Sequence, residues 1–176
     1  SLKLFLNHED FDFESGIQSF EDLQIENKSD RYQYNLPYYN YDRLISQNYF
    51  EGNISFNSNG NNYLSDTNKL ETNITNNFTY NSLDYITNFG LKNNFSLSLK
   101  NLNSIGKKTT LYKSNPQIEL ASLFNIDFSM PFEKKDEISE NLLTPKMSFR
   151  FNPSDMKDNS SSDNKINVSN AFALNR

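Results

Sequence analysis

Between Ile118 and Met130 apolar and polar residues alternate along the chain. The even positions are Ile118, Leu120, Ser122, Phe124, Ile126, Phe128 and Met130, and the odd ones Glu119, Ala121, Leu123, Asn125, Asp127 and Ser129. Successive side chains leave a strand on opposite sides, so a period of two gives one apolar and one polar face. A helix would instead gather Ile118, Ala121, Ser122 and Asn125 on one side, a face that buries little. The same period recurs along the chain, which is therefore expected to fold into long two-faced strands. Its function then turns on what each face meets.

Composition agrees with that reading. Only 35% of the residues are hydrophobic and mean hydropathy is −0.77, yet aromatics reach 14%. Disordered chains lack aromatics, whereas strands that are apolar only at alternate positions combine the two. Asn is the commonest residue, at 29 of 176. In a chain so rich in Asn and Ser, chance supplies sequons such as those at Asn27, Asn53, Asn73, Asn77, Asn94, Asn159 and Asn167, and they are not read as glycan sites. A net charge of −5 argues against nucleic acid, which needs a concentrated basic surface. Without cysteine there is neither a disulfide framework nor a thiolate metal site. No apolar run approaches the roughly 18 residues of a membrane helix. The chain starts inside an alternating stretch and stops just after an apolar one, so it is expected to be an internal piece of a longer protein, one partial β-barrel domain over residues 1–176.

Along the chain, Leu2, Leu4 and Leu6 close one strand, and Phe11, Phe13, Ser15 and Ile17 open a second that loses register near Phe20. Residues Glu26 to Asp30 read as a turn. Tyr32, Tyr34, Leu36 and Tyr38 form a third run, in which Pro37 has no ladder hydrogen to donate and marks an edge or an irregularity. Phe50, Gly52, Ile54 and Phe56 come next, ended by a turn at Asn57 to Asn62. Leu70 to Tyr80 and Phe89 to Leu99 continue the pattern, with a loop at Ser104 to Lys108. After the opening strand comes a charged loop from Glu133 to Glu140, then Met147, Phe149 and Phe151 alternating with Lys146, Ser148 and Arg150. Pro153 to Asn164 reads as a polar loop and Ile166 to Leu174 as a last strand. About nine strands joined by polar turns make an all-β, antiparallel, up-and-down fold. Soluble strands cluster near five or six residues, while a tilted membrane-crossing strand needs roughly 9–11. Several runs here are that long, so part of a large transmembrane β-barrel is expected.

No constellation has catalytic form, and neither an enzyme nor a cofactor is expected. His8, the single histidine, sits in a polar turn. Asp10, Asp12 and Glu14 share one face and read as a polar lining rather than the paired carboxylates of glycoside hydrolysis. Asp155, Asp158 and Asp163 lack the spacing of a calcium loop. Tyr32, Tyr34, Tyr38, Tyr39 and Tyr41 read as an interfacial aromatic girdle rather than a stacking platform. Lys146 and Arg150 would each cost roughly 2–4 kcal/mol against lipid at the bilayer midplane, so their face should be lumen or periphery. Ile118, Leu120, Phe124, Ile126, Phe128 and Met130 are the candidates for lipid contact, and burial of each large apolar side chain contributes about 1.5–3 kcal/mol.

Several strings add a resemblance. The run Leu142-Leu-Thr-Pro-Lys-Met-Ser-Phe-Arg-Phe-Asn-Pro-Ser-Asp-Met-Lys157, with Asn170-Ala-Phe-Ala-Leu-Asn-Arg176, resembles the C-terminal barrel region of the LptD-type lipopolysaccharide-assembly outer-membrane proteins, the organic-solvent-tolerance family. Asp30-Arg-Tyr-Gln-Tyr-Asn-Leu-Pro-Tyr-Tyr39 is similar to an Arg-Tyr-x-Tyr-x-Leu-Pro strand there, and Pro116 with Gln117-Ile-Glu-Leu120 to a Pro-Gln-Ile opening. The matching positions are Arg31, Tyr32, Leu36, Pro37, Pro116, Gln117, Thr144, Pro145, Lys146, Asn152, Pro153, Asn175 and Arg176. The resemblance implies a barrel in the cell outer membrane of a Gram-negative bacterium. With a plug lipoprotein, it would receive lipopolysaccharide from periplasmic bridge proteins and release it among the outer membrane lipids. That family's periplasmic N-terminal domain, its gate strands and the cysteines of some members have no counterpart here. A general porin or uptake barrel, or a secreted β-rich adhesin, would share the alternation. Because an unclosed wall leaves backbone donors unsatisfied, the piece alone is not expected to fold stably.

Overall fold

Alternating β-branched, aromatic and short polar residues suit extended backbone, and among the residues described by the computed structural model the extended elements are all strands of antiparallel sheet. The structure describes residues 1–24, 26, 31–46, 51–66, 68–136 and 139–153. The strands are β1 (Leu2–Asn7), β2 (Phe11–Glu21), β3 (Tyr32–Ser46), β4 (Gly52–Ser65), β5 (Lys69–Ser82), β6 (Tyr85–Ile86), β7 (Lys92–Lys107), β8 (Gln117–Ser129), β9 (Phe132–Lys135), β10 (Glu140–Leu143) and β11 (Lys146–Phe151). Nine belong to one antiparallel sheet in the order β1-β2-β3-β4-β5-β7-β8-β11, with β6 also on β7. Sheet order follows chain order, with β6 lying off the path and the β9–β10 pair standing between β8 and β11, so the up-and-down order holds. Among the described residues the sheet is open, with β1 and β11 at its edges.

The register is long and even at the centre. β4 and β5 pair from Gly52 with Ser82 to Ser65 with Lys69 without a slip, and β5 with β7 and β7 with β8 do the same. The irregularity expected near Phe20 lies instead in β3. Both the β2–β3 and the β3–β4 ladders shift beside Leu36–Pro37, between Asn35 and Tyr38. Proline has no N–H for either neighbour, and one extra residue lets the ladder step round it. The peptide bond there is cis.

Four other expectations need correction. Asn57 to Asn62 is the interior of β4, not a turn. β7 runs on to Lys107, so no loop begins at Ser104, and it starts at Lys92, which leaves Phe89 in the preceding turn. Glu133 to Glu140 is not simply a loop: β9 and β10 form a separate two-stranded hairpin. Its register continues that of β8 with β11. Ser129 faces Lys146, and beyond Met130–Pro131 and Thr144–Pro145 Phe132 faces Leu143. The two prolines interrupt one long ladder, bridged by Met130 N donating to Pro145 O at 3.1 Å. The turn expected at Glu26 to Asp30 falls largely outside the described residues, as does the polar loop from Pro153 to Asn164. The last strand expected at Ile166 to Leu174, with Asn175 and Arg176, falls outside them altogether.

Candidate functional site

Partners across an antiparallel ladder point to the same side, so the register assigns each side chain to a face. One face is apolar. Ile54, Tyr80, Leu97, Phe124 and Phe151 stand opposite one another in turn on β4, β5, β7, β8 and β11. Beside them run Phe95, Ile126 and Phe149, then Phe128 with Met147, and on the other side Phe56, Phe78 and Leu99. Leu2, Leu4 and Leu6 extend the face over β1, opposite Ile17, Ser15 and Phe13. The lipid-contact candidates Ile118, Leu120, Phe124, Ile126 and Phe128 share this face, and Met130 lies one residue past the end of β8.

Among the described residues no element packs against that face. Ile118 is 75% exposed, Leu120 65% and Phe149 57%, and among the described residues Tyr38 and Tyr80 alone form the buried hydrophobic set. An exposed, contiguous apolar face of this kind marks a surface that contacts other protein or a membrane. The charged side chains on the apolar face, Glu21, Arg43 and Lys107, stand at or near strand ends.

The opposite face is polar and hydrogen-bonded to itself. Asp12, Asp42, Asn57, Asn77 and Lys100 are successive cross-strand partners. Asn57 Nδ2 donates to Asp42 Oδ1 at 2.7 Å and Asn77 Nδ2 to Asn57 Oδ1 at 3.1 Å. Tyr38 donates its hydroxyl proton to Glu14 Oε1 at 3.0 Å, and Lys3 Nζ lies 3.3 Å from the same oxygen. Towards the other edge, Arg150 Nε donates to Asn125 Oδ1 at 3.2 Å and Ser148 Oγ to Asp127. Lys146, Ser148 and Arg150 thus share the polar face, as their alternation with Met147, Phe149 and Phe151 requires. Asp10 does not join Asp12 and Glu14 on a strand; it lies in the β1–β2 turn, where its N–H donates to His8 Nδ1 at 3.3 Å. His8 stacks on Phe11 with ring centroids 5.3 Å apart.

The tyrosines do not form one girdle. The extra residue in β3 puts Tyr32, Tyr34, Tyr39 and Tyr41 on the apolar face and Tyr38 on the polar one. Tyr39 lies across Gly60, its direct partner, where an added Cβ would meet the ring at 2.3 Å. Tyr38 lies across Gly16 in the same way on the other side. A ring over a bare glycine fills the gap that glycine leaves in a pleated surface.

A polar row that the alternation does not disclose crosses the apolar face. Tyr39 OH is 3.1 Å from Ser58 Oγ, which donates to Asn76 Oδ1 at 2.7 Å. Asn76 Nδ2 donates to Asn101 Oδ1 at 3.1 Å, and Asn103 Nδ2 to the same oxygen at 2.6 Å. Ser58 is buried. Each member has a partner, so the row carries little of the cost of an unpaired amide. Its trace in the sequence is Asn and Ser at positions that fall opposite one another only after pairing.

Of the thirteen positions that carried the resemblance, eleven lie among the described residues, at strand ends or at the β3 bulge. Arg31 Nε lies 3.0 Å from Glu21 Oε1, closing the β2–β3 connection just before Tyr32 begins β3. Leu36 and Pro37 make the bulge. Pro116 and Gln117 open β8, and Thr144, Pro145 and Lys146 lead into β11, with Asn152 and Pro153 just beyond it. Among the described residues no group of three or more His, Cys, Asp or Glu is placed to hold a metal; Asp155, Asp158 and Asp163 lie outside them. Comparison of the chain with protein-family models and with curated proteins gives no match.

Proposed function

We propose that this sheet is a stretch of wall of a large transmembrane β-barrel in the outer membrane of a Gram-negative bacterium, and that the parent protein delivers lipopolysaccharide to the outer leaflet. The observation that carries the barrel reading is the continuous apolar row Ile54–Tyr80–Leu97–Phe124–Phe151 across five strands, flanked by the exposed Ile118, Leu120 and Phe149 and backed by a hydrogen-bonded polar face. Strand length supports it. β3, β4, β5, β7 and β8 run 13 to 16 residues, beyond the roughly 9–11 that a tilted strand needs to cross a bilayer. The placement of charge supports it too, since Arg43 and Lys107 near strand ends can carry their charges to the interface. The substrate rests on the resemblance of the Arg31–Pro37, Pro116–Leu120 and Thr144–Pro153 strings.

In this reading the work is not enzymatic. The apolar face anchors the wall in hydrocarbon. The polar face lines a hydrated lumen in which neutral amides, hydroxyls and scattered charges take up hydrogen bonds with the sugar part of the substrate. Further strands complete the wall beyond β1 and β11, because open edges in hydrocarbon would leave N–H and C=O groups unpaired. A plug lipoprotein and periplasmic bridge proteins are the partners that the resemblance implies.

The chain has no cysteine, so single cysteines report cleanly. Phe124→Cys, Ile126→Cys and Phe128→Cys in outer-membrane preparations should resist a water-soluble thiol reagent and react with a lipid-soluble one. Asn125→Cys and Asp127→Cys should do the reverse. Photo-crosslinkers on the polar face should capture lipopolysaccharide. Equal aqueous labelling at all five positions removes the membrane reading, whereas alternation without lipopolysaccharide capture removes only the substrate and leaves a general uptake barrel.

A further inference from the structure

The connection between β7 and β8 does not stand away from the sheet. It turns at Lys108, with φ of 55°, and residues 109–113 fold back over the polar face. Glu71 and Asn73 belong to that face, opposite Gly106 and Ser104. Thr109 Oγ1 donates to Glu71 Oε1, and Asn73 Nδ2 donates to Tyr112 OH at 3.0 Å. Gly106 N donates to Lys113 O at 2.8 Å. Gly106 is what allows the approach. An added Cβ there would lie 2.3 Å from Thr109 Cγ2 and 2.8 Å from the Tyr112 carbonyl oxygen, so the segment occupies the space a side chain would need.

We infer that residues 108–116 form a strap across the lumen-facing surface that narrows the passage. The inference rests on the barrel reading above. A surface loop held only by its ends keeps its backbone in water. This one is tied to β5 by two side-chain bonds and to β7 by a third bond, at the one residue of β7 that could admit it. The ties are few and near the mouth of the sheet, so the strap is a low-stability unit that opens without unfolding the strands beneath.

The test uses the full-length protein in outer membranes and reconstituted into planar bilayers. Gly106→Val expels the strap by steric conflict. The pair Thr109→Val and Tyr112→Phe removes the two side-chain ties and leaves every strand residue unchanged. Both variants should show trypsin cleavage after Lys108 or Lys113 about tenfold faster than the natural chain, together with raised conductance. Equal cleavage rates in all three proteins overturn the inference, as does faster cleavage with unchanged conductance. If Gly106→Val does not assemble, the paired variant decides. Failure of the barrel reading is distinguished by the β8 labelling pattern, which does not depend on where the strap lies.

Discussion

Gly60 and Tyr39 set a tight constraint at the centre of the sheet. The ring lies where a Cβ would stand, at 2.3 Å, and both flanking ladders fix the backbone. Gly60→Val should therefore destabilise the sheet by about 1–3 kcal/mol, the usual cost of overpacking. Adding Tyr39→Ala should recover part of the loss, and denaturant titration of the protein in micelles checks both. A second residue-scale effect is electrostatic. Asp84, between β5 and β6, accepts hydrogen bonds from Lys92 at 2.6 Å and Asn94 at 2.9 Å. The Lys92 bond first, then the Asn94 bond, holds its carboxyl below the ordinary carboxylate range. A depressed acid stabilises the folded hairpin above its unfolded value of about 3.9 and loses that contribution as pH falls through the folded value. The carboxyl is exposed, so the effect is small. NMR titration should place Asp84 below the ordinary range, and Lys92→Met should move it back up. An unchanged midpoint in that variant would show that Lys92 is not the cause.

Elements show how non-local pairing overrides local preference. β9 and β10 pair only with each other, and their register keeps step with β8 and β11. The hairpin thus continues β8 and β11 past a proline on each side. Replacing residues 131–144 with Asn-Gly, a turn suited to two-residue hairpins, should leave Phe128 opposite Met147. A disulfide formed after Phe128→Cys and Met147→Cys in the shortened protein would check the register. Failure of that protein to assemble would mean that the hairpin directs the pairing of β11. The bulge in β3 is the complementary case, since one inserted residue at Leu36–Pro37 reverses the faces of Tyr34 and Tyr38 relative to simple alternation.

At the scale of the whole molecule, the deciding feature is an apolar face against which none of the described elements packs. Globular domains offset their conformational entropy with an interior, and here that interior amounts to Tyr38 and Tyr80 among the described residues. The 176-residue chain should therefore show no cooperative unfolding transition in plain buffer. Detergent micelles should raise its β signal in circular dichroism and reduce its binding of hydrophobic dyes. A cooperative detergent-free transition with protected β7 amides would mean that the exposed face finds a protein partner instead.

Strand content, strand order and the identity of the apolar face were legible in the sequence, because side-chain alternation is a property of consecutive residues. Leu2 to Leu6, Leu70 to Tyr80, Ile118 to Phe128 and Met147 to Phe151 all lie on the face their spacing indicates. Tertiary structure decided what depends on distant partners. Asn57 to Asn62 has the composition of a turn, yet side-chain hydrogen bonds with Asp42, Asn77 and Thr72 and the ring of Tyr39 over Gly60 make it strand interior. The polar row through Ser58, Asn76 and Asn101, the face reversal at Pro37 and the fold-back of residues 109–113 have the same origin. Each follows from register, and register is set by pairing between residues far apart in the chain.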